Sequence, residues 1–153
     1  MQAPEQITPA GLADYFDVLT KAVFQSGLSW QVVEAKWPGF RDAFAGFDPR
    51  KVAAFGGDDV ERLAADTRIV RNRRKIEATV TNAQRMVELD DADGGFAGWL
   101  GSRGDFEATV AALRSEFRFM GDMGCYFFLY VVGEPVPSHE EWMKTHQPAA
   151  RRK

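Results

Sequence analysis

The stretch FRFMGDMGCYFFLYVV, residues 117–132, is too apolar to be a surface helix with one polar side, and it is expected to be largely buried. Two glycines interrupt it. Phe106, Val110 and Leu113 carry a helical stripe just before it, so Gly121-Asp122-Met123-Gly124 reads as a tight turn between two helices. Such a turn leaves the first backbone N–H groups of the following helix unpaired, at the positive end of its dipole, where a phosphate is favoured. Gly121, Met123 and Gly124 are therefore candidate contacts for a DNA backbone, which a hairpin of this kind grips without reading bases. The same glycines equally serve to let two core helices pack closely. Asp122 sets a negative charge where a phosphate would approach.

The rest of the chain repeats the helical theme. Thr8-Pro9 has the chemistry of an N-cap and first helical position, followed by Leu12, Phe16, Leu19 and Val23 at helical spacing up to Gly27. Ser29 is placed to cap a second helix from Trp30 that Pro38 should end, with a short aromatic helix at Phe40–Phe44 after it. Asp48-Pro49 opens another short helix that stops at Gly56-Gly57, and Asp58 or Asp59 is expected to cap the next. Ile76, Val80, Ala83 and Val87 mark a longer helix beyond the stretch Thr67–Ile76, and Asp90–Gly95 is a loop. Ser138 with Glu141 fits a capping box for a last helix. No internal repeat and no strongly alternating strand occurs. The expected fold is all-α, a compact bundle of about eight short helices, as one domain over residues 1–146 with a flexible basic tail over 147–153.

Composition narrows the function classes. Of 153 residues, 45% are hydrophobic and 27% charged, which excludes a disordered or collagen-like chain. One cysteine, Cys125, and two histidines cannot make an internal disulfide or a four-ligand Cys/His zinc site, so no metal is expected. No apolar run reaches about eighteen residues, and no signal-like N-terminus is present; the expectation is a cytoplasmic chain with no membrane partner. A net charge of −3 argues against a uniformly basic coat, so any contact with nucleic acid must be local.

One such local feature is the acid-free run Arg68, Arg71, Arg73, Arg74 and Lys75, readable as a phosphate-binding patch or as a solvated face. Trp30 follows Gly27-Leu28-Ser29 at a break between helices, where it borders a cavity or packs in the ordinary way. Phe24 lies near the same junction. Aromatic faces of this sort sandwich an extruded base, and also fill cores. Familiar catalytic patterns are missing, and Cys125 reads as inert packing.

FQSGLSW (residues 24–30), FDPRKVAAF (47–55), DVERLAAD (59–66) and IVRNRRKIEATVTNA (69–83) together closely resemble the DNA-3-methyladenine glycosylase I family, in that family's order and nearly its spacing. FRFMGDMGCYFF (117–128) looks like the family's helix-hairpin-helix segment. The resemblance implies an all-α glycosylase of the helix-hairpin-helix superfamily that flips a methylated purine out of double-stranded DNA and hydrolyses its N-glycosidic bond, acting as a monomer without a cofactor. It makes Trp30 the residue that stacks on the flipped base, with Gln25 in the same pocket-lining segment, and gives the hairpin of Gly121, Met123 and Gly124 its phosphate role; Phe24 is expected to bind the base beside them, and Arg71, Arg73, Arg74 and Lys75 to contact DNA as the basic patch.

The pattern also departs from the family. Its pocket glutamate, eight residues before the tryptophan, is Ala22 here, with Lys21 beside it. The terminal zinc-binding Cys and His residues, and the N-terminal segment bearing a base-contacting tyrosine, have no counterpart. Where superfamily members carry an aspartate after the hairpin, GEPVPSHEEW offers only Glu134, Glu140 and Glu141, of which Glu134 is the one catalytic candidate. N3-methylation makes adenine a cationic, good leaving group, so loss of a carboxylate need not abolish activity. A preference for positively charged alkylated bases follows. The alternatives are a DNA-binding hairpin module without catalysis, and a helical scaffold that binds protein through its aromatic surface.

Overall fold

Residues 3–146 are described by the computed structural model, and among them there are nine α-helices, one 3-10 turn and no strand. The helices are α1 (Leu12–Gln25), α2 (Trp30–Ala43), α3 (Pro49–Ala53), α4 (Gly57–Ala64), α5 (Arg73–Asp91), α6 (Gly95–Gly101), α7 (Phe106–Glu116), α8 (Asp122–Val131) and α9 (His139–Thr145). The basic tail expected over 147–153 lies outside the described residues. The long α5 packs against α1, α3, α4 and α6, and α1 in turn packs against α8. All-helical architecture is thus as the periodicity indicates.

Several helix ends obey the capping chemistry read from the sequence. The Asp48 carboxylate accepts from the Arg50 N–H at 3.0 Å with Pro49 in the first position, and Ser138 Oγ accepts from the Glu141 N–H at 3.2 Å. Other ends differ. α1 starts at Leu12, not at Thr8-Pro9, because the preceding segment is held elsewhere: the Ile7 N–H donates to the Val131 carbonyl at 2.7 Å and Gln6 Nε2 to the Tyr130 carbonyl at 3.0 Å. Asp59 caps α4 from inside its first turn, accepting from the Gly56 N–H at 2.9 Å. α5 begins three residues before Ile76, where Asn72 Oδ1 accepts from the Lys75 N–H at 3.1 Å.

Pro38 does not end α2. The helix runs through it, so the separate aromatic helix expected at Phe40–Phe44 is its second half. A proline inside a helix costs about 3 kcal/mol through its lost N–H and its clash with the preceding turn. Burying Val33, Trp37, Phe40 and Ala43 along one stripe outweighs that, at roughly 1.5–3 kcal/mol for each large side chain. Pro38 and Glu34 lie on the exposed side, so the Glu34 carbonyl that lost its donor is not forced to be buried unpaired.

The core behind this stripe is aromatic. Trp37 stacks on Phe40 (4.6 Å between centroids) and on Phe47 (5.1 Å), while Phe24 meets Phe40 edge-on at 4.7 Å. The turn between α7 and α8 occupies residues 117–121, just upstream of the expected tetrapeptide. Its left-handed residue is Phe119 (φ 60°), not a glycine. Gly121 is extended and caps α8, and Gly124 lies inside that helix, where an added Cβ would sit 3.7 Å from Ala22 Cβ.

Candidate functional site

The break between α1 and α2 spans Ser26–Ser29 and turns at Gly27, whose φ of 75° suits a residue without a Cβ. It brings Trp30 to the edge of a groove of about 790 Å³, walled by α1, α2, α8 and the N-terminal segment Pro4–Ile7. Trp30 touches Phe127 of α8 edge-on at 5.4 Å, and among the described residues no ring stacks on its face. Gln25 also lines the groove; it is 7% exposed, and its buried Oε1 has no hydrogen-bond partner. Phe24, expected beside them, is fully buried against Phe40 and Phe44 and does not line the groove. Successive helical residues point about 100° apart, and this rotation sends Phe24 into the core.

The groove is acidic. Glu5, Asp14, Asp17 and Glu34 line it against the cations Lys21 and Arg41. Two of these carboxylates are committed to the fold: Asp17 accepts from Trp37 Nε1 at 2.9 Å and from Arg41 Nε at 3.1 Å, and Asp14 accepts from the Ala10 N–H at 2.8 Å. Glu34 stands one turn after Trp30 on the same face of α2 and pairs with Lys21 from α1. That arrangement leaves Glu34 as the helix-borne carboxylate beside the indole. Sequence reasoning missed it, although the Trp30/Glu34 spacing of four was the signal.

The start of α8 lies on the same side. Met123, in the first turn of α8, shares a crevice of about 10 Å³ with Trp30 and Phe127. Asn82 of α5 clasps the α7–α8 turn from inside, accepting from the Arg118 N–H at 2.8 Å and donating to the Arg118 carbonyl at 3.2 Å. The amides of residues 122–124 have no acceptor within α8, as at any helix start. Asp122, whose charge counted against a phosphate there, is paired with Arg114 at 2.8 Å.

A family model described as methyladenine glycosylase matches residues 9–115. This chain belongs to the methyladenine glycosylase family. It is 32% identical to DNA-3-methyladenine glycosylase 1 of Escherichia coli (strain K12), over 77% of this chain and 74% of that protein. A crystal structure of 3-methyladenine DNA glycosylase I matches with a TM-score of 0.74 at 29% identity, covering 83% of this chain and 81% of the other. The structure reporting 3-methyladenine recognition by the Staphylococcus aureus enzyme matches with a TM-score of 0.74 at 26% identity, over 84% and 80% of the two chains.

The match to the methyladenine glycosylase model ends inside α7, so the α7–α8 turn stands on its geometry. Ala22, expected from the resemblance to replace a pocket glutamate, is buried against Gly124 of α8 and does not line the groove. The basic run is divided by the fold. Arg71 and Arg74 are exposed, and among the described residues neither takes part in an ion pair. Arg73 forms a bidentate pair with Glu61 (2.5 and 2.9 Å), and Arg68 pairs with Asp66 at 2.7 Å. Lys75, expected to face DNA, is only 5% exposed; its ammonium turns inward to the Phe24 and Ser26 carbonyls.

Glu134 also misses the groove. It lies three residues beyond α8, where burial raises its carboxyl pKa and its charge helps to raise that of the Tyr15 phenol. Cys125 is buried with its thiol pushed up to about 12, hence protonated and a poor nucleophile.

Proposed function

We propose that this member of the methyladenine glycosylase family extrudes a 3-methyladenine-type base from damaged duplex DNA into the groove beside Trp30 and releases it by hydrolysis of the N-glycosidic bond. The observation that carries the reading is an indole with an open face on the wall of an acidic groove, on the same side as the start of α8. The base stacks on Trp30. Its positive charge is balanced by Glu34 and the other groove carboxylates, which outnumber the groove cations four to two. A cationic purine leaves without prior protonation, so the chain has chiefly to hold it and to stabilise the developing positive charge on the sugar while water attacks.

The backbone amides of residues 122–124, with Arg71 and Arg74, meet phosphates on either side of the extruded nucleotide. This arrangement needs no second copy of the chain, and the protein works on damaged DNA as a monomer. No helix among the described residues is long and apolar enough to cross a membrane.

Incubating the purified protein with methylated duplex DNA and separating the released bases by chromatography tests this reading. Release of 3-methyladenine above the protein-free control is expected. Salt-dependent DNA binding without any base release would leave only a hairpin DNA-binding module, and efficient release of hypoxanthine would overturn the preference for cationic bases.

A further inference from the structure

Of the three buried polar side chains on one face of α5, Thr79 bonds back to the Lys75 carbonyl at 2.7 Å, which leaves Lys75 (5% exposed) and Asn82 (1% exposed), seven residues and hence about two turns apart. Each is spent on the backbone of a different segment. The Lys75 ammonium donates to the carbonyls of Phe24 and Ser26, the unpaired acceptors at the C-terminal end of α1 that lead into the Ser26–Ser29 break and Trp30. Asn82 holds both the N–H and the carbonyl of Arg118, in the middle of the α7–α8 turn. Lys75 also sits 5.9 Å from the ring of Phe119 in that same turn, and Phe119 carries the left-handed backbone.

An ammonium this buried, with no carboxylate partner among the described residues, is costly to keep charged, and burial lowers its pKa accordingly. A methionine would fill the same space without that cost. What the lysine adds is a donor for carbonyls that would otherwise be orphaned.

We infer that Lys75 and Asn82 are a pair of positioning residues that set the register between the two halves of the proposed site, Lys75 fixing the tryptophan-bearing break and Asn82 the phosphate-facing turn. The inference rests on the base-release reading above, and it predicts that the two functions separate. Lys75→Met keeps the contact with Phe119 but releases the carbonyls of the break. It should slow base release from methylated DNA by about 10- to 100-fold, the scale set by misplacing a reacting group by around an ångström. It should also weaken binding of free 3-methyladenine by calorimetry, with affinity for undamaged duplex within about twofold of the parent. Lys75→Arg, which retains donors, should restore part of the loss.

Asn82→Ala should do the reverse, weakening duplex affinity by about fivefold, the scale of one lost hydrogen bond, with free-base affinity unchanged. Asn82→Asp, which keeps the acceptor for the Arg118 N–H, should lie between the parent and Asn82→Ala, and thermal unfolding by circular dichroism checks that all four variants fold. If each substitution lowers both affinities by the same factor, or neither moves either, the two residues only stabilise the fold and the inference is wrong. If the parent protein neither binds 3-methyladenine nor releases it, the proposed function falls first, and this inference with it.

Discussion

Two tryptophans stand seven residues apart on α2 and meet opposite fates. Trp37 has phenyl rings stacked within about 5 Å, Phe40 and Phe47, and its indole N–H is bound by Asp17. Trp30 has one edge contact with Phe127 and a face on which no ring of the described residues stacks. The helix supplies the same side chain at nearly the same angle, and neighbours decide what it does. Where the chain surrounds the indole it builds a core, and where it withholds a second ring it leaves a berth for one from outside.

Removing each indole in turn tests whether neighbours decide its role. Trp37→Ala should destabilise the fold by about 3–5 kcal/mol, read as a large fall in the urea or thermal midpoint. Trp30→Ala should barely move that midpoint, yet lower the single-turnover rate of base release by about 100-fold, more than it weakens DNA binding. Equal effects on stability would erase the distinction.

A smaller change sharpens it. Glu34→Gln removes charge beside the open indole but not beside the closed one, and should cut release of cationic 3-methyladenine by about tenfold, or 1.4 kcal/mol. The unfolding midpoint should hold, because exposed ion pairs contribute about 0–1 kcal/mol. Smaller again, Arg71→Ala and Arg74→Ala should each weaken DNA binding and reduce the slope of log affinity against log salt by about 1, whereas Arg73→Ala, already engaged by Glu61, should do less.

Glu134→Gln is expected to change least. Burial raises the Glu134 carboxyl pKa in the folded state, so the folded chain holds its proton more tightly than the unfolded chain does. That contribution to stability is complete below the unfolded value of about 4.3 and is lost as pH rises through the folded one. The variant should therefore unfold at a slightly higher temperature than the parent at pH 7, with base release unaltered because Glu134 lies outside the groove.

How much of this was legible in the sequence depended on whether the signal was local. The caps at Asp48 and Ser138 and the break before Trp30 were readable, because each is decided within a turn or two of chain. Of the stretch 117–132 expected to be largely buried, only the second half is, and Phe119 in the turn is 38% exposed. Pro38 misled because its local cost was visible and the distant aromatic partners that outweigh it were not. Lys75 was read with its arginine neighbours because a run of charge carries no record of direction. On a helix, two residues of such a run face water while the third turns into the protein. The acid that balances the groove was missed for a related reason. Glu34 is defined by Lys21 on another helix, and its groove is closed by Pro4–Ile7, a segment before α1 that is tied to the end of α8.

Three sides of the groove are helices locked into the core, but the fourth is an extended strap fastened to the end of α8 through the Ile7 amide and the Gln6 side chain. If a lesion too bulky for the cleft is to fit, the expected accommodation is a lifting of this strap, which two hydrogen bonds tie to the end of α8. The Ile7 amide proton should then exchange with solvent faster with a large adduct bound than with a single methyl group.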